Sequence, residues 1–228
     1  MQEIKYIITD IEGTTTSISF VYDVLFPYFR NNIEVVKGML DNEVVKHSII
    51  ETQKIVQQET GRLIDIDGAI VQLKTWSAED RKIGPLKSIQ GILWETGYKN
   101  GEIKGHVYAD VPPKLKEWKN KGIELGIYSS GSVKAQQLLF GHSVYGDLNP
   151  YFSFNFDLNI GHKREISSYQ KIAENLHAHP ETILFLSDIV EELDAAQSAG
   201  FQVIQLVREG TMAGKNHPVA RSFAGIDL

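Results

Sequence analysis

Two carboxylates stand two residues apart where a short apolar run ends, a pattern that could carry phosphoryl transfer. Asp10 directly follows the apolar, β-branched run 6–9, and Glu12 lies beside Gly13, which permits a tight turn. A carboxylate can attack phosphorus and form a mixed anhydride, and a neighbouring acid can protonate the leaving alcohol and then activate water. Taken alone, such a pair more often marks an ordinary strand end with a solvated glutamate, so the other segments decide its interpretation.

Two further segments carry groups that are suited to binding a phosphate. Ser129 and Ser130 follow an apolar run and precede a helical pattern, where hydroxyl and backbone N–H groups form a ready anion site. An ordinary helix cap at Ser132 explains the same pattern equally well. Lys163, in a Gly-His-Lys-Arg turn, could neutralise a phosphate and keep a nucleophilic carboxylate ionised. Without other support, a solvated basic turn is the commoner case.

A third acidic position could complete a magnesium site. Asp188 follows another apolar run, and Glu191 and Glu192 come close behind it. Magnesium prefers oxygen ligands, keeps several waters, and usually takes one or two carboxylates together with phosphate. The two glutamates also fit an acidic first helical turn favoured by the helix dipole, and both interpretations can hold together. The seven histidines are scattered without the spacing of metal ligands.

The elements that must position these groups alternate along the chain between strands and helices. Apolar, β-branched runs predict buried strands at residues 6–9, 123–128, 182–186 and 201–207, with a short extra strand at 152–156. Helical spacing is found between the runs, at residues 111–121, 132–140, 167–176 and 191–199. This order predicts an α/β fold with a parallel sheet covered on both faces, whose candidate residues lie at the carboxyl ends of the strands.

One long segment departs from this alternation. Residues 16–104 show helical spacing without a convincing strand, and we interpret them as a helical cap domain inserted after the first strand. Residues 1–15 and 105–228 then form the α/β catalytic core. The tail, residues 209–228, is rich in loop-forming residues and gives no indication of function.

Bulk composition excludes several classes of protein. The formal charge of −6 argues against a nucleic-acid partner, which requires clustered lysine and arginine. No apolar run approaches the roughly 18 residues that a membrane helix needs, and residues 1–5 lack the features of a signal peptide. The chain has no cysteine, which excludes disulfides and thiolate nucleophiles and fits a reducing compartment. We therefore expect a soluble cytoplasmic protein whose partner is neither a nucleic acid nor a membrane.

Taken in order, the four candidate elements resemble those of the haloacid-dehalogenase-like phosphatases. That group has a nucleophilic aspartate, a hydroxyl residue after the second strand, a lysine, and an acidic pair after a later strand. The resemblance implies a Rossmann-like core with an inserted cap. A closer resemblance, to the enolase-phosphatases of methionine salvage, rests on Glu12, which replaces the group's usual second aspartate. It extends to residues 106–112, 128–133, 138–142, 161–163 and 184–188.

By this resemblance the chain is a magnesium-dependent phosphatase with a second, enolising activity. The substrate would be 2,3-diketo-5-methylthiopentyl-1-phosphate, and the products 1,2-dihydroxy-3-keto-5-methylthiopentene and phosphate. Asp10 would attack phosphorus and also bind one Mg²⁺ per chain. Glu12 would be the acid and base, with its backbone carbonyl toward the metal, and Asp188 would be the second carboxylate ligand. The family also suggests a monomer.

The same resemblance assigns the remaining roles and leaves some open. Ser129 and Ser130 would hold the phosphate, Lys163 would neutralise it, and Glu192 would act through water. The resemblance does not decide whether Glu12 or a cap residue is the base for enolisation. It also does not say which cap residues recognise the methylthio group. The alternative function is a phosphatase of broader small-molecule specificity. A phospho-acceptor signalling module uses similar residues, but the helical insert and the glutamate argue against it.

Overall fold

The computed structural model describes residues 3–228. Met1 and Gln2 lie outside the described residues. They belong to two ranges named above, the predicted core segment 1–15 and residues 1–5, which lack the features of a signal peptide. The described part forms a six-stranded parallel sheet with the order β3-β2-β1-β4-β5-β6. Its strands are β1 (Tyr6–Thr9), β2 (Glu124–Tyr128), β3 (Phe152–Phe156), β4 (Ile183–Ser187), β5 (Gln202–Leu206) and β6 (Val219–Ala220). The predicted α/β fold with a parallel sheet is confirmed.

The register of the central strands places the candidate residues at one edge of the sheet. Thr9, the last residue of β1, lies level with Ile127 in β2 and with Leu186 in β4. Since the three strands are parallel, the residues that follow them leave the sheet at the same edge. Asp10, Ser129 and Asp188 follow these strands within two residues of their ends.

The chain divides into two compact units, Met1–Ile18 with Lys104–Leu228, and Ser19–Ile103. The second unit is helical because apolar residues recur three and four apart and converge in one core that includes Phe29, Val45 and Leu73. Its elements, the first of which begins at the last residue of the preceding unit, are α1 (Ile18–Phe20), a π-helical stretch (Val21–Leu25), α2 (Phe26–Asn32), a 3-10 stretch (Ile33–Met39), α3 (Glu43–Thr60), α4 (Ile66–Ala78) and α5 (Gly84–Lys99).

The helices of the first unit cover its sheet. They are α6 (Val111–Asn120), α7 (Val133–Gly141), α8 (Ile166–Leu176) and α9 (Val190–Ser198). Tyr169 and Ile172 of α8 pack in one apolar core with Tyr128 and Phe185 of the strands. All five residues of β4 are buried, as expected for a parallel strand with both faces covered. Within residues 3–228, no helix is both long and apolar enough to cross a membrane.

The C-terminal tail is more ordered than its composition indicated. Val219–Ala220 pairs with β5 and adds the sixth strand, which is too short to show any alternation in the sequence. Arg208, just after β5, is buried and binds both carboxylate oxygens of Asp110, at 3.0 and 2.9 Å. Its Nε donates to the carbonyl of Thr14 at 3.1 Å. The end of β5 is thereby tied to the loop that follows β1.

Candidate active site

The loop after β1 presents Asp10 from a tight, hydrogen-bonded turn. The Asp10 amide continues the sheet by donating to the carbonyl of Leu186 at 2.8 Å. The amides of Thr15 and Thr16 both donate to the carbonyl of Ile11 at 2.9 Å, which closes the turn. Gly13 has a φ of 75°, and a Cβ at this position would lie 2.5 Å from Cγ of Asp188. The backbone of the loop therefore packs directly against the Asp188 carboxylate.

Lys163 joins two of the buried carboxylates. Its ammonium forms an ion pair with Asp10 Oδ1 and a second, at 2.7 Å, with Glu192 Oε2. Glu192 also accepts a hydrogen bond from Ser187 Oγ at 2.8 Å. Burial lowers the pKa of the Lys163 ammonium, but the charges of Asp10 and Glu192 outweigh it, so the net shift is upward. The lysine is held in its charged form.

The carboxylates of the site carry more negative charge than one lysine offsets. Burial, and next the charge of Asp10, raise the pKa of Asp188 to about 7. Burial also raises the pKa of Asp10, against the opposing effect of Lys163. Glu192 shows the same upward pKa shift, from burial first and then from Asp10. Several buried carboxylates that crowd one another are stabilised when a further cation lies among them.

The donor set fits a magnesium ion. Oδ1 of Asp188 is buried without a hydrogen-bond partner, so an acceptor at this edge of the sheet is left for another group. Among the described residues, no group of three or more His, Asp or Glu side chains could hold a metal ion by itself. Magnesium needs fewer protein ligands than that, because water and phosphate oxygens complete its octahedron. Asp10 and Asp188 are carboxylates of the required kind.

The serine loop lies beside the second acidic residue of the first loop. Ser129 is buried, and its Oγ lies 3.5 Å from Oε2 of the half-buried Glu12. The amide of Gly131 donates to Ser129 Oγ at 3.1 Å, which turns the loop, and Ser130 is exposed at its bend. Ser132 caps α7 by accepting from the amide of Ala135 at 3.3 Å. The cap interpretation of Ser132 is therefore correct and is compatible with phosphate binding by the two serines before it.

The structure distinguishes the two glutamates that follow Asp188. Glu192 is buried and contacts Lys163, whereas Glu191 is exposed on the first turn of α9. Of the predicted site residues, Asp10 and Lys163 are thus in direct contact with each other. Glu12 and Ser129 form a second pair, and the Asp188 side chain lies against the loop backbone at Gly13.

The sequence analysis did not identify the side chains that form hydrogen bonds with the backbone of these loops. Gln205 is buried in β5, and its Nε2 donates to the carbonyl of Asp188 at 3.0 Å and to that of Met212 at 3.1 Å. The Nδ1 of His106 accepts from the amide of Ser17 at 3.0 Å. Burial, and next the charge of Arg208, lower the pKa of His106, which favours the neutral ring. For Gln205 the sequence did offer a signal, because a glutamine is unusual inside an apolar run such as residues 201–207.

Comparisons with known proteins identify the family of this chain. Residues 4–200 match the model of the haloacid dehalogenase-like hydrolase family. The chain is 56% identical over 223 residues to an enolase-phosphatase E1 of Picosynechococcus sp., covering 98% of each chain. It is 47% identical over 226 residues to that of Aquifex aeolicus, covering 99% of this chain and 100% of the relative.

A solved structure is also similar over nearly the full length. The UTR4 protein of Saccharomyces cerevisiae superposes with a TM-score of 0.82 at 34% identity, covering 98% of this chain and 100% of the yeast chain. Identity at this level over almost all of both chains extends to the helical unit as well as to the sheet. The chain belongs to the haloacid dehalogenase-like hydrolase family and, within it, to the enolase-phosphatase E1 proteins.

Proposed function

We propose that this chain converts 2,3-diketo-5-methylthiopentyl-1-phosphate to 1,2-dihydroxy-3-keto-5-methylthiopentene and phosphate, through an aspartyl-phosphate on Asp10. Its relatives are enolase-phosphatases, and the family serves methionine salvage. The observation that carries the proposal is the buried ion pair between Lys163 and Asp10 at the end of the central strand. It places a charged ammonium beside a carboxylate at the edge of the sheet where ligands bind, and it opposes the effect of burial on the pKa of Asp10.

The phosphoryl steps can be assigned to residues of the first unit. Asp10 attacks phosphorus, and the bond between phosphorus and the ester oxygen breaks while Glu12 protonates that oxygen. Glu12 then takes a proton from water, which attacks the phosphorus and frees Asp10 and phosphate. Lys163, with Ser129 and Ser130, holds the phosphoryl oxygens through both steps, because this reaction depends mainly on positioning and charge stabilisation.

One magnesium ion would be held by Asp10, Asp188 and the backbone carbonyl of Glu12. When bound, it supplies positive charge where negative charge develops on the phosphoryl and carbonyl oxygens. The unpartnered Oδ1 of Asp188 and the raised pKa of that group support this ligand set. We assign the helical unit Ser19–Ile103 as the cap, and leave the enolisation base between Glu12 and a residue of that unit.

A magnesium-dependent assay tests the proposal. We expect protein treated with a chelator to release no phosphate from the diketo phosphate, and added Mg²⁺ to restore both phosphate release and the absorbance of the enol.

Glu192→Gln should slow phosphate release, whereas Glu191→Gln, which changes an exposed neighbour, should leave it unchanged. Comparable turnover of sugar phosphates and the diketo phosphate would instead support the broader phosphatase.

We further propose that the chain acts as a monomer in the cytoplasm. The family resemblance supports the single-chain state, and the absence of cysteine agrees with a reducing compartment. Light scattering coupled to size-exclusion chromatography measures the first directly, and a concentration-independent dimer would contradict it. Fractionation of the source cells measures the second.

A further inference from the structure

Three side-chain hydroxyls hold three consecutive carbonyls around the active-site lysine. The donors are fully buried, and each bonds to one carbonyl of residues 161–163. The pairs are Tyr128 Oη to Gly161 O at 2.9 Å, Ser168 Oγ to His162 O at 2.8 Å, and Tyr169 Oη to Lys163 O at 2.6 Å. We call Tyr128, Ser168 and Tyr169 the hydroxyl clamp.

The clamp fixes a segment that has no regular structure of its own. Residues 157–165 connect β3 to α8 outside any helix or strand, so their carbonyls have no regular ladder of partners. Turns satisfy some of them, and His162 O also accepts from the amide of Glu165 at 3.0 Å. His162 and Arg164 are exposed, and water would be the ordinary partner of a carbonyl on such a loop. Gly161 instead lies so close to α8, with a φ of 139°, that a Cβ there would overlap the hydroxyl of Ser168. The loop therefore packs closely against the helix that carries two of the three hydroxyl donors.

Lys163 needs an anchor that does not take part in the reaction. Its ammonium is paired with Asp10 and Glu192, and in the proposed cycle Asp10 loses its charge when it carries the phosphoryl group. A lysine side chain has four flexible carbons, so its ammonium moves when one of its partners changes. Burial raises the pKa of the Tyr169 hydroxyl, which therefore stays protonated and keeps donating throughout.

We propose that the hydroxyl clamp, chiefly Tyr169, positions Lys163 for phosphate binding and for both phosphoryl steps. This inference rests on the function proposed above. Tyr169 does not touch the substrate in this account and acts only through the lysine backbone. Its ring packs edge-on against Phe185 and Phe201, with centroids 5.2 and 5.7 Å apart, so Tyr169→Phe removes the hydroxyl while the ring contacts remain.

The test compares the affinity for inorganic phosphate, measured by calorimetry in the presence of Mg²⁺. We expect Tyr169→Phe to weaken phosphate binding by up to about fivefold, the upper limit set by the net free energy of the one hydrogen bond that it removes, and Ser168→Ala to act in the same direction. The control is Ile172→Val, a buried change on the same helix that lowers stability and removes no hydroxyl of the clamp. It should leave the phosphate affinity unchanged.

The same substitution made in a Lys163 variant distinguishes an effect on the position of the lysine from a non-specific effect on the structure. In Lys163→Met, adding Tyr169→Phe should weaken phosphate binding no further, because the hydroxyl acts through the lysine. Unchanged affinity in Tyr169→Phe, an equal loss in both backgrounds, or no phosphate binding by the unaltered protein would each overturn the inference. Failure of the unaltered protein to turn over the diketo phosphate, with phosphate binding retained, would overturn the proposed function and leave the comparison of variants decisive.

Discussion

Asp10→Asn is expected to abolish phosphate release, by a factor of about 10⁴ or more, while the protein stays folded. An amide cannot attack phosphorus, so the covalent intermediate cannot form. The fold survives because the substitution removes one charge from a group of crowded carboxylates and leaves an oxygen that can still accept from Lys163. Enolisation forms no covalent intermediate, and we expect the enol absorbance to appear without released phosphate.

Asp157→Asn is the matched control for that variant. Asp157 also follows a strand of the sheet, β3, but its oxygens accept from the backbone amides of Val133 and Asn159, at 3.4 and 2.9 Å. Asparagine has one acceptor oxygen, which can keep the 2.9 Å bond from Asn159, and only the longer bond from Val133 is lost. Neither bond involves a residue of the proposed site, so the rate should change little. Mass spectrometry of the trapped enzyme should detect a phosphoryl adduct in this control and none in Asp10→Asn. Half of the normal rate in Asp10→Asn would disprove the assignment of the nucleophile.

The parts of the site that could be predicted from the sequence are those that short segments of the chain determine by themselves. Short apolar runs that end at a polar residue predicted the strands, and parallel order placed Asp10, Ser129 and Asp188 at one edge. Glu192 could not be separated from Glu191 in this way. Both fit the first turn of a helix, and the packing of α9 against β4 and β5 decides which of them turns inward.

Supporting residues could not be predicted, because their partners are backbone groups whose positions depend on the completed fold. A tyrosine on the apolar face of α8 is typical of a core residue, and nothing local indicates that its hydroxyl reaches Lys163 O. Arg208 contacts the Thr14 carbonyl across 194 positions of the chain. The loop-rich composition of the tail likewise gave no sign that Val219–Ala220 pairs with β5. Such contacts follow from the completed fold.

Gly13→Ala should reduce activity far more than Gly61→Ala, although the two glycines share one backbone conformation. Their φ angles are 75° and 73°, so alanine introduces similar backbone strain at both positions. A Cβ at Gly61 meets no atom within 4 Å. A Cβ at Gly13 would lie 2.5 Å from Cγ of Asp188 and overlap its carboxylate oxygen.

The difference between these variants isolates the position of Asp188. We expect Gly61→Ala to lower the free energy of unfolding by about 1–2 kcal/mol, from strain alone, and to leave kcat within about twofold. Gly13→Ala should add a loss in kcat of about 10²-fold, since a displacement of about 1 Å in a positioning group has that effect. It should also raise the Mg²⁺ concentration needed for half of the maximal rate. Normal magnesium dependence in Gly13→Ala would show that Asp188 can move aside without consequence, and would remove it from the ligand set.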